Sequence, residues 1–346
     1  MTSIQYKLAW LISNLRTNDF AELYETELAS TRMRAGVCIS GCLNAGYNVL
    51  PPNYREKDHK PNLVFMAKFV PDSHTGQYLD DNGTRRNFWL TKIKRLEEDG
   101  GKLILDYTDN HFTKNGIVGD FYREIKPYVS GLILPSEKML LNVSDAWNKF
   151  TYIIPEPVEI DFIAPGNRPK NELTALWFGH NSNLSYLFDF MADRMHLAPP
   201  KNLIILTNNF PKEHVQEAAK RAPKGIKISL APWSKKNMVE AAKISHYAVI
   251  PSSKNDPRKS GVSPGRLLTS LALGLPVASE SLHSYIPFTR FFADINSSDA
   301  VNLMKDPKSY EKLIFSAQEI IKQKYTVNAI QGDWINVVKS FSEKNI

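Results

Sequence analysis

The chain has 346 residues, 42% of them hydrophobic and 23% charged, with 43 Lys and Arg against 36 Asp and Glu for a net charge of +7. That length suits about two domains with real cores, and no apolar run reaches the ~18 residues of a membrane span. Cys38 and Cys42 stand alone, without a third cysteine or a histidine pair to complete a metal set, so they read as small core residues of a reduced protein and no metal is expected.

Elements alternate in type along the chain. Met1–Asn14 has a single Lys before a short apolar run and no small-residue cleavage site, so it reads as a first strand, Tyr6–Ile12, and the chain is expected to be cytoplasmic. Glu22–Gly46 reads as one or two helices, Asn62–Val70 as a strand, Asn87–Asp99 as a helix ended by Gly100-Gly101, and Lys102–Tyr107 and Gly131–Pro135 as further strands. Pro155–Lys170 holds four prolines and reads as a linker. Then follow strands at Ala175–Phe178, Asn202–Thr207, Lys227–Leu230, Tyr247–Pro251 and Pro276–Ser279, separated by helices at Asn183–Arg194, His214–Arg221, Lys235–Ser245 and Ser263–Leu273. Three helices, Asp299–Met304, Tyr310–Lys324 and Ala329–Ser342, close the chain. Strands alternating with helices imply α/β domains with parallel sheets and crossover connections.

In such sheets ligands bind beyond the carboxyl ends of the strands. That rule selects Asp72 and His74 after one strand, Asp106, Asp109 and His111 after another, Gly179-His180-Asn181 after the first strand of the second half, and Trp233 after a third. It also selects the segment Ser252–Arg266, where Lys254, Arg258, Lys259 and Ser260 lead into a helix expected to start at Ser263, with Ser263 as cap and Pro264 at the first helical position. Arg266 then falls near the first turn, where a cation opposes the helix dipole unless an anion is bound. A diphosphate fits such a helix end. Asp109, His111, His74 and Asp106 are the candidate proton acceptors, each weighed against a turn-capping or surface role. Arg32 and Arg34 on the first helix are candidates for the acceptor side, against ordinary solvated arginines. Trp233 could stack on a base or seal the core edge. Glu156 in the linker fits a site position or a hinge equally.

Several of these stretches together resemble the GT-B glycosyltransferases (the group 1, family 4-like members). The resemblance rests on Ser30-Thr31-Arg32-Met33-Arg34 with Ala45–Val49, Leu103–Phe112, Leu134-Pro135-Ser136, Trp177-Phe178-Gly179, the segment 250–279 and Trp334. It implies two Rossmann-like domains facing a cleft, an acceptor-side domain over residues 1–160, a nucleotide-sugar domain over 161–325, and a C-terminal helix, 326–346, returning to the first domain. It implies a nucleotide-sugar donor held by Gly179, His180, Asn181, Trp233, Lys254, Lys259, Ser260, Ser263 and Arg266, with no separate cofactor. It implies a glycan or lipid-linked acceptor held near Arg32, Arg34 and Asp72, as in surface polysaccharide synthesis. Many retaining members carry two glutamates eight residues apart in the donor segment, and Gly261 and Thr269 stand in those places here. A GT-B nucleotide-sugar epimerase and a binding module without catalysis are the alternatives. Dispersed charge, with no RNP-type motif or helix-turn-helix, gives no sign of nucleic acid as a partner, and peripheral attraction to an anionic membrane is a secondary reading of the basic surface.

Overall fold

The computed structural model describes residues 6–13, 19–26, 29–54, 60–70, 85–166, 172–208 and 212–343. The chain divides into two compact units: Met1–Pro157 with Gly261–Ser263 and Val327–Ile346, and Val158–Ser260 with Pro264–Thr326.

The first unit is built on strands β1 (Lys7–Leu11), β2 (Asn48–Val49), β3 (Leu63–Met66), β4 (Lys102–Asp106), β5 (Val129–Leu134) and β6 (Phe150–Ile153). All pairings are parallel, in the order β2-β1-β3-β4-β5-β6. Between them run α1 (Phe20–Glu25), a π-helical turn (Thr31–Gly36) continuing into α2 (Val37–Asn44), α3 (Arg85–Glu98), α4 (Ile117–Ile125) and α5 (Glu137–Val143). β1, β3 and β4 are buried on both faces and read as continuous apolar runs, as parallel strands covered by helices must. One face packs Trp10 on Phe65, ring centroids 5.1 Å apart, with Trp334 edge-on to both. The other packs Phe69, Trp89 and Phe121.

The second unit holds β7 (Thr174–Phe178), β8 (Asn202–Thr207), β9 (Lys227–Pro232), β10 (Tyr247–Ile250), β11 (Val277–Ser279) and β12 (Ala293–Asp294) in the order β12-β11-β10-β7-β8-β9, again all parallel. Its helices are α6 (Leu184–Asp193), α7 (Lys212–Arg221), α8 (Lys235–Ile244), α9 (Gly265–Ala272), α10 (Ser298–Lys305) and α11 (Glu311–Lys324). The strand order is that of the Rossmann fold, whose direction of winding reverses between β7 and β10. Ser234 and Ser297 cap α8 and α10 by accepting from Asn237 and Ala300 N–H. Gly274, at φ 72°, stops α9, with Leu275 N–H returning to the Ser270 carbonyl. The last helix, α12 (Val327–Ser342), belongs to the first unit. It packs on α2, where Gly41 admits it: a Cβ there would meet Gln331 at 3.0 Å.

Helices α4 and α5, strands β6 and β12 and the 3-10 segment His283–Phe291 were not expected from the sequence. The helix expected from Ser263 starts at Gly265, with Pro264 rather than Ser263 in the cap position and no side-chain cap.

Candidate functional site

In the second unit the expected donor residues gather where the winding reverses. β7 ends at Phe178, and Gly179 N–H still bonds the Leu206 carbonyl of β8. A Cβ at Gly179 would stand 3.3 Å from the Trp177 ring and 3.5 Å from Arg266 Nη1, so glycine keeps this floor open. His180 Nδ1 accepts from Ser182 N–H, and Asn181 N–H is held by Asn208 Oδ1 at 2.9 Å. Lys259 reaches Asn183 Oδ1 and lies 5.4 Å from the Tyr186 ring centroid, while Tyr186 donates to Asp256. Arg266 Nη1 is buried and has no hydrogen-bond partner. A guanidinium nitrogen sealed from water without an acceptor is costly, and here it lies at the carboxyl end of β7 beside an open glycine. The hydroxyls of Ser252, beyond β10, and Ser284, beyond β11, are also buried without partners. Ser284 lies in the unexpected 3-10 segment, and no local pattern marked it.

Three expected donor residues stand apart from that point. Ser263 does not cap α9; its Oγ accepts from Glu156 N–H at 3.3 Å, because the helix begins two residues later. Lys254 pairs with Asp294 at 3.4 Å and Glu280 at 3.7 Å, toward the β11 and β12 side. Trp233 follows β9, the edge strand, two strand spacings or about 10 Å from β7. Ser260 N–H closes a turn onto the Pro257 carbonyl. The Arg258 side chain lies outside the described residues.

In the first unit Arg34 and Asp106 form a fully buried pair, Nε to Oδ1 at 2.6 Å, and Arg34 Nη1 donates to the Ile154 carbonyl at 2.8 Å. Nη2 is left buried without a partner. Burial raises the Asp106 carboxyl above its usual value, against the pull of Arg34. Arg32, two residues earlier on the same helical turn, donates instead to the Thr26 carbonyl at 2.5 Å. After β4, the Tyr107 hydroxyl accepts the N–H groups of His111 and Phe112 and so folds residues 107–112 into a tight loop. Asp109 pairs with Lys68, which the sequence did not single out; burial works against its charge, but Lys68 more than offsets this and holds the carboxyl below its usual value. His111 stacks on Tyr122 at 4.6 Å, both ring nitrogens buried without hydrogen bonds. Burial, helped by Lys114 and Lys68, pushes its pKa down to about 3 although Asp109 opposes this. Asp72 and His74 lie outside the described residues. Among the described residues no cluster of His, Cys, Asp or Glu could hold a metal ion, and no helix is long and apolar enough to cross a membrane.

No protein-family model matches the chain, and no curated protein sequence matches it. Solved structures do. A glycosyltransferase from Rickettsia africae aligns with a TM-score of 0.62 at 10% identity, over 98% of this chain and 99% of its own. The lipopolysaccharide outer core galactosyltransferase WaaB aligns at 0.61 and 11% identity, over 96% and 99%. With the two parallel sheets, this decides the architecture. The fold is GT-B. An α-glucosyltransferase in complex with UDP-glucose and DNA shares this GT-B likeness, at 0.61 and 10% identity over 96% and 99% of the two chains. The chain spans a little over half the length of the GtfA/B and TarM structures, at 57%, 56% and 55% of those chains.

Proposed function

We propose that the protein is a glycosyltransferase that moves a sugar from a nucleotide donor to a glycan or lipid-linked acceptor. The observation that carries this reading is Arg266 Nη1, buried and unpartnered against Gly179 at the carboxyl end of β7. A donor diphosphate supplies the missing acceptor. As the bond to the sugar breaks, negative charge grows on the leaving diphosphate, and fixed cations there lower the barrier. Arg266 and Lys259 take that role in our reading, so no metal is required. Three of the similar structures were solved with UDP or UDP-glucose, which makes uracil the first nucleobase to try. The WaaB likeness favours a surface glycan as acceptor.

The test is titration calorimetry with a panel of nucleoside diphosphates, followed by transfer assays with matching nucleotide sugars against lipopolysaccharide core and DNA duplex acceptors. Diphosphate binding with transfer to glycan supports the reading. Transfer to DNA alone keeps the donor half and replaces the acceptor. Conversion of free nucleotide sugar without acceptor indicates an epimerase, and binding without turnover indicates a binding module.

A further inference from the structure

Asp106 and Glu156 lie near Arg34 in the first unit, Asp109 lies near Glu156, and the three carboxyls differ in what they touch. Asp106 spends Oδ1 on Arg34 Nε and is 3% exposed. Asp109 is paired with Lys68. Glu156, three residues beyond the end of β6, is half-buried and has no ion-pair partner among the described residues. Its backbone N–H donates to Ser263 Oγ, and the Ser263 hydroxyl also bonds its carboxyl. The remaining Arg34 nitrogen, Nη2, belongs to a side chain with no solvent exposure and has no partner of its own. The cluster therefore sets a half-buried carboxylate beside an arginine already committed to Asp106 and the Ile154 carbonyl, so that Glu156 is the one carboxyl of the three not held by a cation of its own.

We propose that the Glu156 carboxylate takes the proton from the acceptor hydroxyl, an inference that rests on the glycosyl transfer proposed above. In the step, the acceptor oxygen forms a bond to the anomeric carbon. The bond from that carbon to the phosphate oxygen breaks, its electron pair leaving with the nucleoside diphosphate. The hydroxyl proton passes to Glu156 and is released to water as product departs. The other candidates are worse placed. Asp106 is sealed and spent on Arg34. Asp109 is stabilised in its ionised form by Lys68 and holds a proton weakly. His111 has its ring nitrogens sealed and is a very weak base. Burial instead raises the Glu156 carboxyl above its usual value; Asp106 and Asp109 add to this, and Arg34 and Ser263 oppose it. A base whose pKa moves toward the working pH is the better proton acceptor.

Glu156→Gln keeps the shape and removes the basicity. We expect kcat to fall about 10²–10⁴-fold, with nucleoside diphosphate affinity within about twofold of the parent. The parent's kcat/KM should fall on the acid side at a pH above the ordinary carboxyl range, and the residual activity of Glu156→Gln should lack that limb. Parental turnover by a folded, diphosphate-binding Glu156→Gln protein overturns the inference. If that variant fails to fold, Ser263→Ala decides: losing a bond that favours the ionised carboxyl moves the acid limb to higher pH, and an unmoved limb overturns the proposal. A parent protein that transfers no sugar to any acceptor sinks the transferase reading itself, and this inference with it.

Discussion

Arg34 and Arg266 belong to different units, yet each lies near the carboxyl ends of its own parallel sheet. Arg34 is saturated on two of its three nitrogens, by Asp106 and the Ile154 carbonyl. Arg266 has a buried nitrogen facing an open glycine and no carboxylate partner among the described residues. The difference separates two uses of one residue type. A buried cation with its own counter-charge chiefly holds the fold, whereas one left without an acceptor is poised for a ligand.

Arg34→Ala should therefore show the largest effect on stability, about 3–5 kcal/mol in denaturant unfolding, because Asp106 would be left buried and unpaired. Replacing both partners by apolar residues should recover most of that loss. If Arg34→Ala unfolds like the parent, the contrast between the arginines collapses.

Arg266→Ala should cost about 1.5–3 kcal/mol of nucleoside diphosphate binding, a roughly ten- to hundredfold loss. The unfolding midpoint should change little, and a free nucleoside should bind nearly as before. Equal diphosphate affinity in calorimetry would return Arg266 to the fold.

His111 tests the comparison through pH. Its folded pKa of about 3 lies below the ordinary value of 6.5, so the unfolded chain binds the proton more readily. The stability this group contributes is full above pH 6.5 and is lost as pH falls from there toward about 3, with a slope of up to about 1.4 kcal/mol per pH unit. His111→Phe keeps the stack on Tyr122 and should flatten that part of the pH–stability curve. A curve of unchanged slope would mean that the ring is not held neutral by burial.

Lys254→Ala should have the smallest effect, under about 1 kcal/mol in stability, because its side chain is 44% exposed and its nitrogen is 3.4 Å or more from either carboxylate. A tenfold loss of diphosphate affinity in this variant would move the donor site toward β11.

The sequence made the sheet skeleton readable because parallel strands are continuous apolar runs: Asn202–Thr207 was expected residue for residue as β8. Helix α4 was missed, since it is short and set between Gly116 at φ 85° and Pro127. Strand β6 is a half-exposed edge with a weak pattern. At the sites, residue types and strand ends were legible for Arg266, Gly179 and Asp109, but pairing was not. Nothing local says that Lys68 pairs with Asp109 across 41 positions, or that Ser263 turns to Glu156 across 107. Those bonds depend on how distant strand ends are brought together, which only the folded chain displays.

Trp334 has one more consequence, for the order of events during synthesis. The ring that packs on Trp10 and Phe65 emerges from the ribosome more than 260 residues after them. Val158–Ser260 and Pro264–Thr326 are by then already made. The first unit must therefore wait, with one face of its earliest strands uncovered, while the whole of the second is translated. A nascent chain of this kind presents its oldest apolar surface for longest, which makes that face the natural place for a chaperone to hold it.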